Sequence, residues 1–291
     1  MTLRSLEIFV KVAQLGNMQQ AARALYISAP SVSGAVADLE KELGQQLFER
    51  LNRRLHITPQ GERLRAYGER LLNLYAEMNR QMKVSGAAQQ LRIGATMTVA
   101  ASVLVGILQR LPVPQPVVQV ANTAHIERLL LHGRLDLALV EGCVHVPELV
   151  EMPIFHDELV LCCHPQHPLN TGQPLYLQAL EGQPMLMREP GSGTREKLHR
   201  ALDIAHIKPQ ILWECGEVGA LLSAVRAGFG VTVISRRLIP PDLLGLQLRD
   251  FPGTRHFSLV YHQDKMISPA MKLFEQSCRQ AAQEEQIGHE N

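Results

Sequence analysis

No run of apolar residues in this sequence is long enough to span a bilayer, and the opening MTLRSLEIFVKVAQLG lacks the apolar core and cleavage site of a secretory leader. Both absences predict a chain that stays off the membrane, in the cytoplasm. Cysteine is scarce: Cys143, Cys162, Cys163, Cys215 and Cys278 are an odd number without framework spacing, which argues for free thiols in a reducing compartment. Net charge is almost absent as well, at +1 on 291 residues of which 46% are apolar, so the chain reads as a globular protein of two or three domains. The spacings needed for catalysis are missing too. Ser192 stands in a G-S-G segment rather than the G-x-S-x-G of a nucleophile elbow, and no acid–base pair is set by spacing, so no catalytic residue and no enzyme activity are expected. Cys162 and Cys163, followed by His164 and His167, invite a metal reading, yet adjacent residues of a strand point to opposite faces, so neither a metal nor another cofactor is expected.

The neutral total hides an asymmetry. Residues 1–88 hold 12 Lys and Arg against 8 Asp and Glu, while the remainder is net −3. A basic front on a mildly acidic body suits a nucleic-acid module joined to something else. Within the front, residues 16–61 read as two short helices around a tight turn, followed by a basic hairpin. Ala21, Ala22 and Leu25 form one apolar face. Ser28 then stands where an N-cap belongs, Pro30 is tolerated in a first turn, and Val32, Val36, Leu39 and Leu43 recur at helical spacing. The outward Ser31 and Ser33 are small, leaving the helix N-terminus free to enter a major groove. Ser28, Pro30, Ser31 and Ser33, with Arg53 and Arg54 at the tip of the hairpin, are the candidate DNA contacts, and His56 is a candidate phosphate contact.

Thr58, Pro59 and Glu62 open a further helix in which Leu64, Tyr67, Leu71, Leu74 and Met78 fall at alternating steps of four and three. That seam predicts a linker helix pairing with a second copy. Beyond Gly86, short β-rich runs alternate with helical patterns, which predicts an α/β body with a mainly parallel sheet and ligands bound outside the strand C-termini. Strand and helix groups fall into two sets around crossings near Leu159 and Tyr261, which favours two lobes with a cleft. The expected domains are 1–58, 59–88 and 89–291, with a first lobe of about 89–160 plus 264–291 and a second of about 161–263.

Three polar strand ends would meet in that cleft. Thr96 and Thr98 close the first body strand; Asn122 and Thr123 precede a helix; Ser192, Gly193 and Thr194 form a turn at another helix start. Backbone amides at a helix N-terminus together with hydroxyl donors suit a small anion or carboxylate. Cys215 is a candidate redox sensor but has no neighbouring cation in sequence to activate it.

The order of these features resembles the LysR-type transcriptional regulators over essentially the whole chain. The front carries the resemblance in Leu6, Phe9, Val12, Gly16, Ala21, Ala22, Leu25, Ser28, Pro30 to Ser33, Leu39, Glu40, Leu43, Gly44, Leu47, Phe48, Arg50, Arg53, Thr58, Pro59 and Gly61. In the body it rests on Leu91 to Gly94, Gly133 to Ala138, His167 to Leu169 and Ala227 to Val231. It implies a winged helix-turn-helix, a dimerising linker helix and a two-lobed sensor similar to periplasmic binding proteins. It also implies a dyad-symmetric duplex bound by a dimer of dimers, a small-molecule effector, and RNA polymerase as a candidate further partner. The GSGTR segment is similar to that of members acting in sulfur or carbon metabolism. Ala29, Gly34 and Asn17 depart from the family's usual Gln, Gln or Arg, and Ser, so reading would rest on Ser31, Ser33, the wing arginines and DNA shape.

Overall fold

The computed structural model describes residues 1–51, 54–83, 90–142, 144 and 146–290. It divides into two compact units, Met1–Val84 and Ser85–Asn291.

The first unit is built from three locally capped helices. Thr2 and Ser5 cap α1 (Leu3–Leu15) reciprocally. Asn17 accepts hydrogen bonds from the amides of Gln19 and Gln20 at the start of α2 (Met18–Leu25), and Ser28 accepts from Ser31 at the start of α3 (Ala29–Leu43). Leu6, Phe9, Val12, Ala21, Val32, Val36 and Leu39 interlock in one core, where each large side chain contributes about 1.5–3 kcal/mol. The hairpin of β1 (Phe48–Leu51) and β2 (Arg54–Ile57) is pinned to this core by the Phe9–Phe48 ring contact at 5.4 Å. The Glu40 carboxylate adds to this by accepting the amides of Leu47 and Phe48 at 2.7 and 3.1 Å.

Helix α4 (Pro59–Lys83) starts where Thr58 caps the Gly61 amide. Its first turns lie on α1: a Cβ on Gly68 would come within 2.9 Å of Val10 and 3.0 Å of Leu6, so a small residue is required there. Leu64 and Leu72 belong to the same core. Leu64 therefore faces its own unit rather than a partner, and the expected seam begins one turn later. From there Tyr67, Leu71, Leu74, Met78 and Met82 form an exposed apolar row.

In the second unit, β3 (Arg92–Thr96) leads into α5 (Met97–Val99), a π-wound turn Ala100–Leu104, and α6 (Val105–Gln109). Next come β4 (Val117–Ala121), α7 (Thr123–Leu131) and β5 (Leu137–Glu141); β4, β3 and β5 pair in parallel. The 15-residue β6 (Leu149–Cys163) then crosses to a second lobe containing β7 (Pro184–Arg188), α8 (Gly193–Ala205), β8 (Gln210–Cys215), α9 (Val218–Arg226), β9 (Thr232–Ser235) and β10 (Leu244–Leu246). β11 (Thr254–His262) returns antiparallel to both β6 and β5, and α10 (Pro269–Glu290) covers the first lobe.

The two cores meet on the crossing strands. Phe155, Phe257 and Leu259 pack with Ile93 and Phe274, whereas Leu159 packs with Met185 and Val233. Residues 257–262, expected in the second lobe, thus belong to the first, because Phe257 to Val260 pair with β5 and Tyr261 and His262 with the start of β6. The sheet is mixed rather than mainly parallel, since β6, β9, β10 and β11 all pair antiparallel. Asp136 ties the start of β3 to the segment after β11, accepting from the Arg92 amide at 2.8 Å, its guanidinium at 2.7 Å and Lys265 at 2.9 Å.

Candidate functional site

On the first unit, Ser28, Pro30, Ser31 and Ser33 are all exposed along the start of α3. Ser28 and Ser31 share a hydroxyl contact at 2.7 Å besides the cap, so Ser31 is held close to the helix end. No atom lies within 4 Å of where a Cβ on Gly34 would sit, so this face is flat and open. Such a face lets the helix backbone approach a groove closely. Arg53 lies outside the described residues. Arg54 opens β2, opposite Leu51, and His56 on the same strand is exposed.

In the second unit the three predicted strand ends come together around a residue that the sequence did not single out, Glu141 at the end of β5. Its amide donates to the Thr96 hydroxyl at 3.2 Å, and its carbonyl accepts from the Thr123 hydroxyl at 3.2 Å. A Cβ on Gly193 would lie 2.9 Å from that carbonyl and 3.3 Å from the Thr123 hydroxyl, so only glycine lets α8 begin here. The N-termini of α7 and α8 thereby meet across the lobes: the Asn122 side-chain Nδ2 donates to the Pro190 carbonyl at 3.3 Å, and the Ala124 backbone amide to the Gly191 carbonyl at 3.3 Å. A left-handed Gly191, with φ of 84°, makes the turn between them.

Beneath this meeting point lies a buried ion network. The Arg255 guanidinium donates to Asp157 at 2.7 Å, to the Thr194 hydroxyl at 2.9 Å and to Glu141 at 3.1 Å. All four residues are 5% exposed or less. Arg188 stands 4.0 Å from Glu141 and pairs with Glu189 at 2.9 Å. Arg237 reaches from the second lobe to the His156 carbonyl at 2.7 Å and to Glu285 of α10 at 2.5 Å. Crossing strands, first lobe and second lobe are therefore joined by charge at one place, with opposite charges paired.

The predicted hydroxyls and amide consequently differ in what they can offer. Asn122 caps α7 with its oxygen and spends one of its two amide protons on Pro190, whereas Thr123 spends its single proton on Glu141. Thr96 and Thr194 act as acceptors and keep a proton available. Thr98 is 1% exposed. Ser192, the N-cap of α8, is 1% exposed, and its Oγ makes no hydrogen bond to the cap or to anything else described. Glu141, Asp157, Arg188 and Arg255 escaped the sequence reading; the only available signal was a charged residue ending an apolar strand, as in LDLALVE and PMLMR.

The thiols are set apart from this chemistry. Burial pushes Cys162 and Cys278 up to about 12, and Cys163 also lies above its ordinary value through burial. Cys215 is half-buried, its sulfur 3.4 Å from the Glu217 amide. Among the described residues no group of three or more potential ligands could hold a metal ion, and no helix is long and apolar enough to cross a membrane.

Comparison with known proteins gives matches over both units. The family model described as bacterial regulatory helix-turn-helix protein, lysR family, matches residues 3–62, and the LysR substrate binding domain matches residues 85–283. The chain is 33% identical over 287 residues to the HTH-type transcriptional regulator YeiE of Escherichia coli K12, covering 95% of this chain and 97% of the relative. It is 31% identical over 294 residues to the regulator CfxR of Cupriavidus necator, covering 96% and 90%. Among solved structures, a hydrogen-peroxide-bound cysteine-to-serine mutant of Corynebacterium glutamicum OxyR matches with a TM-score of 0.60 at 25% identity, covering 97% of this chain and 93% of that one.

Proposed function

Because this chain belongs to the LysR family of bacterial transcriptional regulators, with both of its domains matched, we propose that it binds dyad-symmetric DNA as a dimer of dimers and that a small anion or carboxylate in the cleft of its second unit sets that activity. The observation that carries the ligand half is the Ser192 hydroxyl, buried and unpartnered at the N-terminus of a 13-residue helix. A buried donor without an acceptor costs free energy that a bound oxyanion would recover, and the helix end adds its own amides and partial positive charge. Thr98, Thr96 and Thr194 supply further protons around the same place, while Asn122 and Thr123 shape it. The Arg255 network beside them links the site to both crossing strands, so ligand contacts bear on how the lobes sit.

The DNA half rests on the open serine face of α3 and the wing arginines. The exposed row on α4 supports the pairing of copies: a charge-poor stripe of Tyr67, Leu71, Leu74 and Met78 is costly to leave in water and fits a second identical helix. The edge strands β4 and β8 also expose Val117 and Val120, and Ile211, Leu212 and Trp213, which suits a two-fold contact between bodies. The protein is then a cytoplasmic, non-enzymatic switch, with RNA polymerase as the further partner of its DNA-bound form.

The test is selection of duplexes from a random library by the full chain, followed by fluorescence anisotropy at fixed ionic strength with sulfate, phosphate, acetate, glycolate and citrate. The expected result is a motif with half-sites about one helical turn apart and at least one anion that shifts affinity in the parent but not in Ser192→Ala. A library that yields no motif refutes the DNA half. Anions that change neither DNA affinity nor the melting midpoint refute the ligand half.

A further inference from the structure

Helices α1 and α3 end on left-handed glycines, Gly16 at φ 60° and Gly44 at φ 63°. Helix α2 ends in the same conformation on Tyr26, at φ 56°. The Ile27 amide bonds back to the Ala22 carbonyl at 3.0 Å and the Tyr26 amide to the Arg23 carbonyl at 3.3 Å, so the turn is a closed helix stop that glycine or asparagine would fill without strain. A tyrosine there is disfavoured by its backbone, and its ring is not repaid by burial, being 95% exposed. Backbone strain retained at an exposed position points to a contact outside the chain.

The surroundings show the charge of that contact. No aspartate or glutamate occurs between Glu7 and Asp38, a stretch covering all of α2, the turn and the exposed start of α3. Arg23, one helical turn before Tyr26, is exposed and makes no ion pair among the described residues. Gln19 and Gln20, one further turn back, are exposed amides. The outer side of α2 is thus a line of hydrogen-bond donors ending in a phenol two residues before Ser28, the cap of the groove-reading helix. In a helix-turn-helix the first helix crosses the sugar–phosphate backbone while the second enters the groove.

We propose that Arg23 and Tyr26 form a phosphate clamp that fixes α3 in the groove, Tyr26 by donating its phenolic proton to a backbone oxygen and Arg23 by charge. This rests on the DNA-binding activity but on neither the effector cleft nor the wing. Phosphate contacts position a protein without reading sequence, so the clamp acts on every duplex alike.

The experiment measures melting midpoint and Kd for full-length Tyr26→Asn, Tyr26→Phe and Arg23→Ala, on a library-selected duplex and a random duplex, from 50 to 200 mM salt. Tyr26→Asn should melt at or above the parent's midpoint, because asparagine suits the left-handed turn, yet bind both duplexes about 3–10-fold more weakly. Tyr26→Phe should lose about as much with an unchanged salt slope, and Arg23→Ala should lower the slope by about 0.9. Parent affinity and slope in Tyr26→Asn and Arg23→Ala would overturn the proposal. So would a loss confined to the selected duplex, which would make Tyr26 a base-reading residue, or a loss that tracks a lowered melting midpoint, which would make its role structural.

Discussion

Replacing Arg255 by methionine keeps most of the side chain's volume and removes its charge from the buried network. Three acceptors lose their donor at once: Asp157 at 2.7 Å, Thr194 at 2.9 Å and Glu141 at 3.1 Å. Asp157 retains the Ser235 hydroxyl and an Arg237 nitrogen at 3.6 Å, and Glu141 retains Arg188 at 4.0 Å, so neither carboxylate is wholly abandoned. Breaking a buried pair by removing one partner costs about 3–5 kcal/mol. For a unit of this size each kcal/mol moves the midpoint by about 2–4 °C, so a fall of about 10 °C is expected. Thermal denaturation followed by far-ultraviolet circular dichroism at pH 7 measures it, with Arg255→Lys as a control that keeps charge but not the three-way geometry. A double variant, Arg255→Met with Asp157→Asn, should recover part of the loss, because one orphaned charge is gone. A single variant melting within about 1 °C of the parent would refute the reasoning, since a network that can be cut without cost does not join the lobes.

Asp136 supplies a pH-dependent case: burial would raise its carboxyl, but the hydrogen bond and charge of Arg92 and the charge of Lys265 more than offset this and leave it below the ordinary 3.8. A carboxyl lowered on folding contributes stability above its unfolded value and loses it as pH falls through the folded one, so Asp136→Asn should cost about 2 kcal/mol at pH 7. That cost should shrink below the ordinary 3.8; an equal cost at pH 7 and pH 3 would contradict the account. Thiol titration of native Cys143→Ser protein should find one reactive cysteine, Cys215, because burial keeps Cys162, Cys163 and Cys278 protonated; several fast-reacting thiols would contradict that. Leu71→Glu, placing a charge in the exposed row of α4, should abolish the dimer in analytical sedimentation while leaving the midpoint of the first unit nearly unchanged. A stable dimer would move the interface off this helix.

How much of this was readable from sequence follows the range of the interactions involved. Ser28 and Thr58 act within three residues, so those helix starts were legible, as were the hairpin and the three strand ends that meet in the second unit. Leu64 was misread because a heptad pattern does not say which stripe a partner takes; Gly68, packed on Val10 and Leu6, turns that first turn inward. The lobe boundary missed residues 257–262 for a similar reason, since a crossing strand has one apolar texture while it serves two cores. The Arg255 network was invisible because its members stand 61 to 114 positions from Arg255 in the chain and resemble ordinary surface charges. Asn122 and Thr123 lie at the meeting point of α7 and α8, but which of their protons remain free depends on Pro190 and Glu141, and no spacing rule carries that. Tyr26 went unnoticed because a left-handed conformation at a non-glycine residue is a property of the backbone alone.

The most direct test of the central claim, that the second unit's cleft holds a small anion through Ser192 and Thr98, is titration calorimetry of the full chain against sulfate, phosphate, acetate, glycolate and citrate, with Ser192→Ala and Thr98→Val in parallel. Both substitutions keep shape and remove a donor, and each charge-assisted bond is worth about 1.5–3 kcal/mol, so at least one anion should bind the parent and lose tenfold or more in each variant. Affinity of both variants for duplex DNA without the anion should match the parent's. An anion bound equally by all three proteins, or by none of them, would contradict the account.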